Sequence, residues 1–145
     1  MLFEAATHSA AVLSKPDETE KEVLDDLRKF GLHFGVAYQL IDDWLDYAGE
    51  SGTMGKNAGD DLAEGKMTLP LILALQNGTE REQACLSNAI RNRSASEATR
   101  VVEIVNNSGA LELTRKSAMK EIQRARDTLL PVSYTHLTLP TNREV

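Results

Sequence analysis

Asp42, Asp43 and Asp46 stand close together in an otherwise apolar stretch, Phe34-Gly-Val-Ala-Tyr-Gln-Leu-Ile-Asp-Asp-Trp-Leu-Asp46. At ~100° per residue on a helix they share one sector with Gly35 and Gln39, spread over roughly one turn and a quarter. Like charges one turn apart repel, so such a sector needs a partner. Buried carboxylates must be paired, metal-bound or protonated. A hard divalent cation fits: Mg2+ takes oxygen ligands, keeps waters, and prefers one or two carboxylates completed by substrate phosphates. The competing possibility is a solvated acidic face at the end of a bundle.

The segment that follows favours the cation. Gly55-Lys56, Gly59-Asp60-Asp61 and Glu64-Gly65-Lys66 set two lysines among glycines. Lysine binds phosphate as a point charge, and glycine lets backbone approach an anion. Lys56 and Lys66 are therefore candidate diphosphate ligands. A Walker A loop is excluded, because Asn57 follows Lys56 and no strand precedes it. An EF-hand is excluded too, since Asp42 onward lacks the alternating acid spacing.

The elements that must position these groups read as helices throughout. Hydrophobic residues make up 41% and charged residues 26% of the 145 residues, with only four prolines, which suits a soluble all-α chain. Expected helices run from Leu2 to near Ser14, from a cap at Asp17 or Thr19 (with Glu20 and Glu22 in the first turn) to about Ala48, over Leu71–Gln76, from Thr79 to about Arg91, over Ser96–Asn107, and from Ala110 to Leu130. Pro131 is expected to stop the last one. Thr79 with Glu82 forms a capping box. On the second helix, Phe30, Phe34, Ala37, Ile41 and Leu45 form an apolar stripe, predicting burial on most sides.

The net charge is −6 and no Lys/Arg stripe is present, so nucleic acid is not an expected partner. No run reaches the ~18 apolar residues of a membrane span. Cys85 is the only cysteine, giving no disulfide and no zinc pattern. His8 and His33 are expected to be helix histidines rather than ligands. Met1 lacks a preceding N-cap and reads as an internal methionine, so the chain is expected to begin mid-helix. Residues 132–145 change to Thr-rich, β-branched composition. They resemble a translated sequencing adapter and are expected to be a non-native tail after a domain of residues 1–131.

Taken together, the Phe34–Asp46 string, Gly55-Lys56, Gly59-Asp-Asp-Leu-Ala-Glu-Gly-Lys66 and Thr68-Leu-Pro70 resemble the second aspartate-rich region of trans-isoprenyl diphosphate synthases. With Leu2-Phe-Glu-Ala-Ala-Thr-His8, the chain is most similar to the bacterial octaprenyl diphosphate synthases. The resemblance covers about Met1 to Pro131. It implies part of an all-helical isoprenoid-synthase bundle and a magnesium-dependent, head-to-tail prenyltransferase. The parent's substrates would be an allylic diphosphate and isopentenyl diphosphate, and its product a long polyprenyl diphosphate for a quinone side chain. The resemblance further implies a cytoplasmic homodimer for the full-length parent.

Carried over residue by residue, Asp42 resembles the direct Mg2+ ligand, assisted by Asp43 and Asp46. Gln39 resembles the side chain facing the developing carbocation. Lys56 resembles the lysine on the allylic diphosphate, and Lys66 a more peripheral one. Tyr38 stands where phenylalanine is frequent, on the wall for the isopentenyl substrate. The family's first aspartate-rich motif is absent from this chain. The chain alone is therefore expected to be catalytically inactive, the alternative being a non-catalytic partner subunit of a heteromeric synthase.

Overall fold

The computed structural model describes residues 2–14, 21–48, 64–93 and 95–136. All regular structure among them is helical, with no strand. The order is α1 (Leu2–Leu13), α2 (Lys21–Ala48), α3 (Leu69–Asn77), α4 (Glu80–Asn92), a 3-10 turn (Ala95–Glu97), α5 (Ala98–Asn107) and α6 (Ala110–His136). The expected all-α class therefore holds. The described residues fall into two compact units. One is drawn from α1, α2 as far as Ala37, and α6 from Met119; the other runs from Tyr38 to Ala118.

In the unit bounded by Tyr38 and Ala118, α3, α4 and α5 pack on one another. Each supplies apolar residues one turn apart: Leu71 and Ala74, Leu86 and Ala89, and Val101, Ile104 and Val105, all essentially inaccessible to water. That i, i+3, i+4 spacing is what places them on one face of a helix. Tyr47 of α2 and Ala110 of α6 join the same core.

Local chemistry fixes the helix ends. Thr79 accepts a hydrogen bond from the Glu82 amide, while the Glu82 carboxylate accepts from the Thr79 amide at 2.8 Å, completing the expected capping box. That N–H, then the Thr79 hydroxyl, holds the Glu82 carboxyl below its ordinary pKa. Gly109 takes φ +76 between α5 and α6, a backbone region open to glycine at little cost.

In the other unit, α1 and α2 approach to backbone contact at Gly31. A Cβ built there would lie 2.6 Å from the Phe3 carbonyl oxygen and 2.8 Å from the Glu4 Cα. The Phe34 ring meets Phe3 edge-on at 5.1 Å between centroids and stacks with Phe30 at 5.8 Å. Arg28 bridges the two helices through Glu4 at 2.9 Å. His33 of α2 bonds Glu121 of α6 through Nδ1 at 2.7 Å, an interaction between helix histidine and carboxylate rather than a ligand set.

Two expectations are corrected. Helix α6 does not stop at Leu130 but continues through Pro131 to His136. Proline lacks an N–H, crowds the carbonyl four residues before it and disfavours helix in the preceding residue, a cost that biases against continuation without forbidding it. The apolar stripe of α2 is also less covered than expected. Ala37 is buried, but Phe34 retains 41% of its surface and Ile41 and Leu45 are only partly buried. The residues of α2 packed most deeply in the Tyr38–Ala118 unit are Asp43, Asp46 and Tyr47.

Candidate functional site

The acidic sector rides on the last three turns of α2, whose C-terminal end is tied to α5 by the Asn106 side-chain amide, donating to the Tyr47 carbonyl at 3.2 Å. Asp43, Asp46 and Tyr47 occupy positions i, i+3 and i+4, so they form one stripe. Tyr47 lies in the apolar core with 1% of its surface accessible, and its helical neighbours Asp43 and Asp46 are carried inward with it, each 8% accessible. Asp42, one position round the helix, is half-buried. A fully solvated acidic face would leave all three side chains in water, whereas two of them are buried here.

Gln39 stands one turn before Asp43 and donates its Nε2–H to Asp43 Oδ1 at 2.8 Å. That bond orients the Gln39 amide against one oxygen of the carboxylate. Tyr38 is 58% exposed. Lys66 is exposed and its Nζ lies 2.5 Å from Glu64 Oε2. Lys56, with Gly55, Gly59, Asp60 and Asp61, lies outside the described residues.

Thr68 stands at the N-cap of α3 in an extended conformation (φ −85, ψ 163), and Pro70 sits in the first turn. The Thr68 side chain makes no capping bond, and its hydroxyl is buried without a hydrogen-bond partner. Among the described residues, no three His, Cys, Asp or Glu side chains converge on a common point as a metal cage would require. The donor set instead matches what Mg2+ prefers, one or two carboxylates with the remaining positions left to water and phosphate oxygens. Asp42, Asp43 and Asp46, within about one turn and a quarter of α2, could supply such carboxylates.

Arg93 escaped the sequence reading. It follows α4 in a left-handed conformation, φ 47 and ψ 43, and its guanidinium packs against Gly65, next to Lys66. A glycine or asparagine is the ordinary signal for that backbone position, and an arginine gives no such sign.

Residues 1–107 match the family model described as Polyprenyl synthetase. Over 129 residues the chain is 46% identical to the all-trans-nonaprenyl-diphosphate synthase (geranyl-diphosphate specific) of Rhodobacter capsulatus, covering 88% of this chain and 38% of that protein. It is 40% identical over 125 residues to the octaprenyl diphosphate synthase of Escherichia coli (strain K12), covering 86% and 38%. Among solved structures, the polyprenyl synthase from Caulobacter crescentus CB15 complexed with calcium and isoprenyl diphosphate matches with a TM-score of 0.78 and 41% identity, over 88% of this chain and 39% of that one. A decaprenyl diphosphate synthase from Rhodobacter capsulatus matches with a TM-score of 0.75 and 33% identity, over the same shares. The chain thus spans about 38% of the length of the curated relatives it matches. With the family model matching nearly three-quarters of its length and an all-helical fold shared with these structures, the chain belongs to the polyprenyl synthetase family.

Proposed function

We propose that this chain is the part of a long-chain polyprenyl diphosphate synthase that carries one of its magnesium–diphosphate half-sites. The parent would join isopentenyl diphosphate to an allylic diphosphate head to tail, releasing diphosphate. The observation that carries the proposal is the inward turn of Asp43 and Asp46 beside Tyr47 in a chain of this family. Burying two carboxylates on adjacent turns is expensive, and a cation shared with phosphate oxygens offsets that cost.

Each residue then has a task. Asp42, less buried than its neighbours, would be the direct metal ligand, with Asp43 and Asp46 assisting directly or through water. Bound magnesium would supply positive charge where the departing diphosphate gathers negative charge. Gln39 is held by Asp43, so its amide oxygen would face the allylic carbon as positive charge develops there. Lys66, from the exposed turn before α3, and Lys56 would meet diphosphate oxygens as point charges. Tyr38 would border the isopentenyl substrate. Among the described residues no helix is long and apolar enough to cross a membrane. We place the parent in the cytoplasm, as a homodimer making a quinone side-chain precursor.

The test combines turnover and binding. Incubated with Mg2+, an allylic primer and labelled isopentenyl diphosphate, the 145-residue chain should form no product, because one aspartate-rich region alone cannot clamp the diphosphate from both sides. It should still retain the allylic diphosphate, and EDTA should release it. Labelled polyprenyl product, or retention indifferent to EDTA, would contradict the proposal.

A further inference from the structure

We propose that Arg93 is a positioning residue for the diphosphate-binding turn at Gly65-Lys66, an inference that rests on the role given to Lys66 above. Helix α4 ends at Asn92, and the next residue closes it by donating its amide N–H to the carbonyls of Ala89 and Ile90. Arg93 does this at φ 47, the one non-glycine residue with positive φ among the described residues. An L side chain is crowded there by its own Cβ, and glycine fills such positions at least cost. A strained backbone that persists points to something the side chain does.

What the side chain does is visible at Gly65. A Cβ built on Gly65 would lie 2.8 Å from Arg93 Nε and 3.1 Å from both Cζ and Nη2. The guanidinium therefore lies against the Gly65 Cα, in space open only because residue 65 has no side chain. Gly65 itself has φ +76, so the turn needs glycine twice over, for its backbone and for the close approach. No carboxylate among the described residues pairs with Arg93. The guanidinium thus braces the turn that presents Lys66 and adds a fixed cation beside it, in a chain of net charge −6. A planar guanidinium matches phosphate oxygens in a way a lone ammonium does not. The ligand class is a diphosphate carried with a divalent cation.

Arg93→Gly is the informative variant, because it removes the guanidinium while relieving the backbone. We expect an unchanged or higher thermal midpoint, faster hydrogen exchange in the peptide holding Gly65 to Met67, and about five-fold weaker binding of magnesium inorganic diphosphate, the scale of one exposed charge contact. A merely structural cap would leave diphosphate affinity alone, whatever the midpoint does. Unchanged exchange and affinity in Arg93→Gly, with wild-type binding that Asp42→Asn abolishes, would overturn this inference and spare the metal–diphosphate assignment. Absence of saturable binding to the wild-type chain would overturn both.

Discussion

Replacing Gly31 by alanine sets two effects of similar size against each other, and the structure decides the sign. Gly31 lies in the interior of α2, where alanine is favoured over glycine by about 1 kcal/mol of helix propensity. The new Cβ, however, would sit 2.1 Å from Thr7 Oγ1, 2.6 Å from the Phe3 carbonyl oxygen and 2.8 Å from the Glu4 Cα. The hydroxyl can rotate away, at the cost of its bonds to the carbonyls of Phe3 and Glu4. The other two atoms belong to the α1 backbone. To reach the 3.4 Å of ordinary contact, α1 must withdraw by about 0.8 Å, the difference between 3.4 and 2.6 Å. Overpacking that shifts backbone costs about 1–3 kcal/mol, and contacts this short with two α1 backbone atoms put the cost at the upper end, about 2–3 kcal/mol. We therefore expect Gly31→Ala to destabilise the chain by roughly 1–2 kcal/mol net, after the propensity gain is subtracted. Urea unfolding followed by helical circular dichroism measures it. A variant as stable as wild type would refute the close α1–α2 crossing.

Other substitutions follow from the same contacts. Gly35→Ala meets only the Phe3 side chain, at 3.3 to 3.7 Å, so the ring can yield; propensity should win, giving neutral or slightly raised stability in the same assay. Leu86→Ala empties a site with no accessible surface and should cost about 2–5 kcal/mol in denaturant unfolding. The Glu82 carboxyl is held below its ordinary pKa by the Thr79 amide, so its cap contributes at neutral pH and is lost as pH falls through that lowered value. Glu82→Gln should flatten that part of a stability-against-pH curve.

Much of this architecture was legible because it rests on local chemistry. The Thr79–Glu82 box satisfies backbone groups within a few residues, and Pro70 in a first turn and Gly109 at positive φ suit the backbone they adopt, so these residue types announce the helix ends. The acidic sector was equally readable, since it follows from the angle between residues on one helix. Which side of α2 turns inward was not. The strength of the Phe34–Ile41–Leu45 stripe pointed one way, while the core that formed around Tyr47 drew Asp43 and Asp46 in instead. Hydrophobic periodicity identifies a face, but long-range packing chooses among competing faces. Arg93 was invisible for a related reason, because its partner Gly65 lies far away in sequence and its own residue type argues against the backbone it adopts. Pro131 misled because a proline biases against helix continuation without forbidding it.

The most direct test of the central claim is a calorimetric titration of inorganic diphosphate into the 145-residue chain, with and without Mg2+, repeated on Asp42→Asn and on the pair Asp43→Asn, Asp46→Asn. We expect saturable binding to the wild-type chain only when Mg2+ is present, a loss of at least about ten-fold in affinity in both variants, and no loss in a control at an exposed carboxylate of another helix, Glu112. Binding that ignores Mg2+, or that survives removal of these aspartates, would contradict the claim.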